Sequence, residues 1–235
     1  MSDLNVKIFA DGADKDDILR LYADKRIKGF TTNPTLMRKA GVTDYEAFAR
    51  DILKHVPDRP ISFEVFSDEF DEMEQQALKI ASWGKNVFVK IPVTNSLGKT
   101  SYDLIHRLAT RKVQLNVTAI LTMEQIHNVS VALENHAASN VSIFAGRIAD
   151  TGRDPVPMMA AAVEMCRAFD KQEIIWASPR ELLNVFQADQ IGCQIITVTT
   201  DIIKKLSLVG KDLREYSLDT VKMFRADAVA AGFSL

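Results

Sequence analysis

Cysteine is scarce in this 235-residue chain: Cys166 and Cys193 stand alone, with no CxxC pair and no metal-ligand spacing. Isolated thiols of this kind exclude a disulfide scaffold, suit a reducing compartment and make a zinc site unexpected. Ten glycines are present but none falls in a GxGxxG pattern, which excludes the usual dinucleotide-binding loop. No apolar stretch approaches the ~18 residues of a membrane span, and the N-terminal MSDLNVKIF has no apolar signal core. A soluble, cytoplasmic chain is therefore expected. An excess of one charge is missing too: 29 Lys and Arg stand against 31 Asp and Glu, mixed throughout. That balance leaves no basic stripe for nucleic acid and no cationic amphipathic helix for a membrane surface. Linkers, repeats and low-complexity segments are absent. The four histidines, His55, His106, His127 and His136, fall in helical or loop stretches rather than at strand ends.

What the chain does have is 47% hydrophobic residues, enough for one large core, in a length common for single α/β barrels. Short apolar runs alternate with stretches of helical spacing, the βαβα rhythm of a parallel sheet with right-handed crossovers. Strands are expected at about Val6–Ala10, Gly29–Thr32, Ile61–Phe66, Val87–Thr94, Gln114–Ala119, Val141–Gly146, Glu173–Ala177 and Ile195–Thr199. Between them, Ile18, Leu21 and Tyr22 share one helical face, as do Phe70, Met73, Ala77 and Ile80. Thr43 with Glu46 and Thr122 with Gln125 read as capping boxes, and Pro179 as lying near a helix start. Eight strand–helix units in one domain, residues 1–235, predict a closed (β/α)8 TIM barrel. The tail, Asp212–Leu235, reads as an amphipathic helix, which in most chains would pack on its own barrel.

The fourth strand carries Lys90 among Phe88, Val89 and Ile91. Burial there would disfavour the ammonium and lower its pKa, leaving an amine able to attack a carbonyl. In a barrel of this type catalytic groups lie at the C-terminal strand ends. There the sequence puts Asp11, Asn33, Glu64, Lys90, Asn116, Thr118, Ser142, Arg147, Ser178 and Arg180. Strand alternation turns Ser62 with Glu64, Phe88 with Lys90, Asn116 with Thr118, and Ser142 with Phe144 into the barrel. Each residue taken alone has a structural reading. Asp11 and Asn33 could be turn residues, Glu64 and Lys90 a buried ion pair, Thr118 and Ser142 ordinary strand residues, and the arginines surface charges. Polar groups gathered at one end on seven strands are harder to explain by packing, because each buried polar group costs free energy unless paired. A buried lysine, nearby carboxylates and two arginines suited to phosphate fit class I aldol chemistry on phosphorylated sugars.

Several segments carry a resemblance. They are Gly29-Phe30-Thr31-Thr32-Asn33-Pro34-Thr35, Ser62-Phe63-Glu64-Val65, Val89-Lys90-Ile91-Pro92, Leu115-Asn116-Val117-Thr118, Ile143-Phe144-Ala145-Gly146-Arg147-Ile148 and Ala177-Ser178-Pro179-Arg180. In this order, and over nearly the whole length, the chain resembles the small transaldolase family, which includes the fructose-6-phosphate aldolases. The resemblance implies that Lys90 forms a Schiff base, that Asp11 moves the proton of the hydroxyl beside the breaking bond, and that Glu64 and Thr118 hold a relaying water. It implies that Asn33, Asn116 and Ser142 bind a dihydroxyacetone unit, that Arg147 and Arg180 take a phosphate, and that Thr32, Phe144 and Ser178 complete the substrate site. The donor would be a ketose phosphate such as fructose 6-phosphate or sedoheptulose 7-phosphate. Glu64 and Phe144 match the transaldolase branch, where the aldolase branch carries glutamine and tyrosine. Pro179, Gly12 and Thr199-Thr200 depart from the usual pattern and bear on the acceptor. The family resemblance implies no metal or organic cofactor, and a homo-oligomer, ring-like decamers being known, in which the terminal helix reaches a neighbouring subunit.

Overall fold

A computed structural model describes residues 4–233. Eight parallel strands close a barrel in sequence order. They are β1 (Lys7–Asp11), β2 (Ile27–Thr31), β3 (Ile61–Glu64), β4 (Val87–Pro92), β5 (Leu115–Ile120), β6 (Ser139–Ile143), β7 (Gln172–Trp176) and β8 (Ile195–Thr199). Around them run α1 (Lys15–Tyr22), α2 (Pro34–Lys39), α3 (Tyr45–His55), α4 (Phe70–Ala81), α5 (Tyr102–Thr110), α6 (Met123–Leu133), α7 (Ala145–Asp150), α8 (Val156–Cys166), α9 (Leu183–Gln190), α10 (Thr200–Lys205) and α11 (Leu213–Ala230). This is the (β/α)8 TIM barrel that the alternating pattern predicts. Among the described residues no helix is long and apolar enough to cross a membrane.

Strand alternation divides the apolar residues into two cores. Phe63, Val65, Val89, Ile91, Val117 and Ile143 belong to the large cluster between strands and helices, with Met73, Ala77 and Ile80 of α4 and Ile18 and Leu21 of α1. A small second cluster, Phe9, Ile175, Ala177 and Ile195 with Phe144 against it, fills the barrel interior. Below it Lys7 meets Glu173 at 2.5 Å near the N-terminal strand ends. Both cysteines are buried and free, and burial pushes the Cys193 thiol up to about 12, so these are inert packing residues.

Several boundaries differ from the sequence reading. β3 ends at Glu64 and β4 at Pro92, each two residues short of the expected end. β6 stops at Ile143 because the Phe144 carbonyl already accepts from the Ile148 amide at 3.0 Å, opening α7 where the strand was expected to continue. The cap of α3 is Asp44 rather than Thr43, its carboxylate accepting from the Ala47 amide at 2.9 Å. Pro179 does not start α9, which begins at Leu183; the Asn184 side chain instead accepts from the Arg180 and Glu181 amides at 2.8 and 3.1 Å and holds those residues as a loop. The Thr122–Gln125 capping box is present as expected. Asn33 is extended before Pro34 and caps α2, accepting from the Leu36 amide at 3.0 Å.

The tail does form a helix, α11, capped by Asp212. It does not pack on its own barrel: none of its residues is buried, and Leu218, Val221, Phe224 and Val229 all stand exposed. Its apolar side chains are thus left uncovered within the chain.

Gly29 makes the interior core fit. A β-carbon there would lie 2.5 Å from the Phe9 ring, so β2 and β1 can carry the ring between them only with no side chain at that point. Gly29→Ala should cost about 1–3 kcal/mol of stability by overpacking, read from urea unfolding. Phe9→Leu in the same background should return part of that loss; equal losses in single and double variants would contradict this packing.

Candidate active site

The site begins with strand register. β3 pairs Glu64 with Lys90 of β4, and β4 pairs Lys90 with Asn116 of β5, so three inward polar residues lie side by side. The Lys90 side chain is only 9% exposed, and its Nζ lies 3.0 Å from Glu64 Oε2. Nζ also donates to the Thr32 carbonyl at 2.9 Å. A buried amine without acceptors would be strongly unfavourable, and these two acceptors make its position tenable. Glu64 is itself clamped: the Tyr45 hydroxyl accepts from its amide and donates to its carbonyl, both at 2.8 Å. Burial raises the Tyr45 phenol above its ordinary range, so it stays a neutral donor and acceptor.

Asp11 closes the opposite side, at the end of β1. Its Oδ1 accepts from Thr31 Oγ1 at 2.7 Å, and Thr31 Oγ1 lies 2.6 Å from Thr197 Oγ1. Burial raises the Asp11 carboxyl above its usual 3.8, outweighing the lowering by Lys90 and by the Thr31 hydroxyl. A carboxyl held this way is suited to moving a proton rather than to a purely structural ion pair.

Across the floor, Ser142 Oγ donates to Asn116 Oδ1 at 2.6 Å and Asn116 Nδ2 donates to Ser62 Oγ at 3.0 Å. This chain of hydrogen bonds spans β6, β5 and β3 and fixes which way the Asn116 amide points. Thr118 Oγ1 is buried with no hydrogen-bond partner among the described residues, although the residue faces the cavity. Beyond it the β5–β6 register shifts, and Ala119 takes φ 62°, a sparsely populated conformation for a residue with a β-carbon.

The rim is built by α7 and the loop after β7. Gly146 permits their close approach: a β-carbon there would sit 1.5 Å from the Ser178 carbonyl oxygen. Ser178 is itself left-handed, at φ 58°. Arg147 lies with its guanidinium 5.9 Å from the centre of the Phe144 ring. Arg180 is committed to Asp150 through a forked pair, Nε donating to Oδ1 at 2.8 Å and Nη2 to Oδ2, while Nη1 donates to Ser178 Oγ at 3.0 Å. Asp150 thereby turns one edge of the guanidinium outward and holds the other beside Ser178.

These groups line one cavity of about 570 Å³ at the C-terminal end of the barrel. Of the residues singled out from sequence, Asp11, Asn33, Glu64, Lys90, Asn116, Thr118, Ser142, Phe144, Arg147, Ser178 and Arg180 all face it. Thr32 does not. Its hydroxyl donates to the Ser62 carbonyl at 2.9 Å, and its contribution is the backbone carbonyl that holds Lys90. Sequence reasoning missed Thr31, Thr197, Tyr45, Asp150 and Lys39, of which Thr31, Thr197 and Lys39 line the cavity. Strand alternation could have found Thr31 and Thr197. Tyr45, Asp150 and Lys39 lie on helices, where no periodicity distinguishes a residue facing the barrel mouth.

Known proteins resemble this chain over most of its length. Residues 8–235 match the family model described as Transaldolase/Fructose-6-phosphate aldolase. The chain is 31% identical over 202 residues to a "Probable transaldolase" of Dehalococcoides mccartyi, covering 86% of this chain and 90% of that protein. It is 33% identical over 202 residues to a "Probable transaldolase" of Thermoanaerobacter sp., covering 86% and 89%. Among solved structures, 3-hexulose-6-phosphate synthase from Salmonella typhimurium superposes with a TM-score of 0.57 at 12% identity, covering 86% of this chain and 91% of that one. A 2,3-dimethylmalate lyase superposes with a TM-score of 0.59 at 10% identity, covering 97% and 84%. At these identities the structural neighbours speak for the barrel alone.

The raised Asp11 carboxyl has a consequence for stability. A folded-state pKa above the unfolded one means that the native state binds the extra proton, so stability falls as pH rises through the window above 3.8. Asp11→Asn removes that penalty. Relative to the unsubstituted chain it should be more stable at about pH 7 and should lose this advantage toward about pH 4, as read from urea unfolding at the two values. An advantage unchanged with pH would contradict the assignment.

Proposed function

Because the chain belongs to the transaldolase/fructose-6-phosphate aldolase family, we propose that it is a transaldolase, moving a dihydroxyacetone unit from a ketose phosphate to an aldose phosphate through a Schiff base on Lys90. The observation that carries this reading is a buried amine 3.0 Å from a carboxylate in a cavity that also holds a second, protonation-prone carboxyl. Lys90 Nζ adds to the ketose carbonyl after losing a proton, with Glu64 as the nearest base. The carbinolamine then loses water, with Glu64 and the Thr118 hydroxyl, which has no partner among the described residues, serving as the relay. Asp11 takes the proton of the hydroxyl beside the bond to be broken; that bond cleaves, the aldehyde leaves, and the electron pair rests in an enamine on Lys90. Addition of a new aldehyde reverses these steps.

Retention of the enamine favours transfer over release. Phe144 packs against the interior cluster and offers no hydroxyl to protonate the enamine carbon, which supports a transaldolase over an aldolase that frees dihydroxyacetone. Asn33, Asn116 and Ser142 would hold the three-carbon unit, and Arg147 with Ser178 and the Nη1 edge of Arg180 the phosphate. Such an enzyme would serve sugar-phosphate interconversion of the pentose phosphate kind, in the cytoplasm. A second copy of the chain would cover the apolar side chains of α11, giving a homo-oligomer. Sedimentation should find the full chain assembled and a chain ending at Lys211 in a lower state; a monomeric full chain would remove that part of the proposal.

The direct test is borohydride reduction with fructose 6-phosphate, followed by intact-mass and peptide analysis. A reduced adduct is expected on Lys90, absent in Lys90→Ala, with turnover falling about 10³-fold or more. Glu64→Gln should slow imine formation about 10²-fold and raise release of free dihydroxyacetone. Bound substrate without any adduct would overturn the mechanism, and rapid release of dihydroxyacetone without acceptor would turn the reading to an aldolase.

A further inference from the structure

Away from the cavity, at the opposite end of the barrel, three metal-ligating side chains gather. His106 lies on α5, Glu134 is the residue that ends α6, and His136 follows in the turn leading to β6. One ligand atom from each lies within 4.8 Å of the others. Glu134 and His136 are near neighbours in sequence, but His106 comes from a different helix, so no local ligand spacing announces the set. We propose that His106, Glu134 and His136 form a binding site for a divalent transition-metal ion of the zinc or cobalt kind, stapling α5 to the α6–β6 turn.

Several details of the cluster support this. His106 Nδ1 faces the Ala132 carbonyl at 3.4 Å, and a carbonyl can only accept, so the ring proton sits on Nδ1 and leaves the Nε2 lone pair outward. Orientation of a ligating histidine through a backbone carbonyl is the usual outer support of a metal site. His136 Nε2 is buried yet has no hydrogen-bond partner among the described residues. Glu134 Oε2 approaches it to 3.3 Å, out of line for a hydrogen bond. The two imidazoles meet edge to face with ring centres 5.7 Å apart. Glu134 is held at φ 44° and ψ −141°, a region that costs about 1–3 kcal/mol for a residue with a β-carbon. Lys112, also left-handed at φ 65°, pins the turn by donating to the His136 carbonyl at 3.1 Å.

Two imidazoles and a carboxylate suit zinc, cobalt, nickel or copper rather than magnesium or calcium. Bonds of about 2.0–2.2 Å in a tetrahedron put ligand atoms about 3.4 Å apart, so rotation of the exposed His106 and Glu134 side chains by roughly 1 Å closes the set, with water as fourth ligand. The position argues for a structural ion. Helix-to-strand turns lie at the N-terminal end of a barrel, away from its chemistry, where residues serve stability.

Cobalt titration of the full chain tests this. One equivalent should give the visible absorption of a tetrahedral nitrogen–oxygen site, and zinc should displace it and raise the thermal midpoint. His106→Ala and His136→Ala should each weaken cobalt binding about tenfold or more and abolish the zinc-dependent rise, while borohydride trapping at Lys90 stays unchanged. No cobalt absorption, or binding equal in both variants and the parent chain, would overturn the site. In that case Glu134 and His136 form only an ion pair that depends on protonation of the imidazole.

Discussion

A lysine amine inside a parallel barrel is the constraint on which the rest of this site depends. Parallel strands covered by helices are ordinarily apolar on both faces, and β4 follows that rule except at Lys90. The exception is tolerable because register sets Glu64 directly beside it and the backbone of Thr32 supplies a second acceptor. Removing one partner of such a buried pair costs about 3–5 kcal/mol, since the other charge is left uncompensated. Everything that holds Glu64 and Thr32 in place therefore also holds the amine. Tyr45 clamps the Glu64 backbone, and the Thr32 hydroxyl ties β2's end to the Ser62 carbonyl of β3. The apolar outer core keeps the helices that carry those clamps against the strands.

Asp11, Glu64 and Lys90, sharing the floor of one cavity, cannot behave as three independent groups. Burial, with a smaller push from Glu64, lifts the Asp11 carboxyl against the lowering influence of the Lys90 ammonium and the Thr31 hydroxyl. Glu64 touches the amine while Asp11 is instead bound to Thr31, so two carboxyls of similar chemistry stand in different environments. In the proposed mechanism that separation would let one serve the amine and the other a hydroxyl several atoms away along a bound sugar. The hydrogen-bonded line Ser62–Asn116–Ser142 contributes rigidity without charge, fixing polar groups at the cavity floor without disturbing the balance among the ionisable ones.

The fold and the floor of the site were legible in the sequence because both follow from periods. Alternation of two along strands and the wider spacing along helices separate Val89 and Ile91 from Lys90, and Phe63 and Val65 from Glu64, before any coordinates are known. What periodicity cannot carry is a single contact between elements. Asp44 rather than Thr43 caps α3 because of one carboxylate's reach, and Asn184 rather than Pro179 organises the loop before α9. Thr32 is a related case. Its neighbours Thr31 and Asn33 do line the cavity, but its own side chain turns to the Ser62 carbonyl, and only its backbone takes part. Tyr45 and Asp150 act from helices on residues of other elements, and nothing in their local sequence distinguishes them from surface positions. The uncovered face of α11 belongs to the same class: its amphipathic pattern was plain, but the pattern does not say which surface the helix covers.

The same division of labour explains how chemistry and selectivity can vary separately in one barrel. Floor residues lie on strands, locked by register between neighbouring strands, so a change at Lys90, Glu64 or Asn116 disturbs the closed sheet as well as the site. Rim residues lie on α2, α7 and the loop after β7, where Arg180 reaches Asp150 and Ser178 through exposed contacts. Exposed ion pairs contribute about 0–1 kcal/mol, so exchanging them costs the fold little. Yet these groups set the charge at the mouth of the cavity. Arg180 presents its remaining edge only because Asp150 occupies the other, while Lys39 adds a third cation on the α2 side of the mouth. The departures from the family pattern, at Pro179, Gly12 and Thr199–Thr200, all fall around this rim or next to Asp11, leaving the amine and its partners untouched. On the proposed reading, differences at these positions would bear on the acceptor at little cost to the fold, while Lys90, Glu64 and Asn116 stay fixed by the register of the closed sheet.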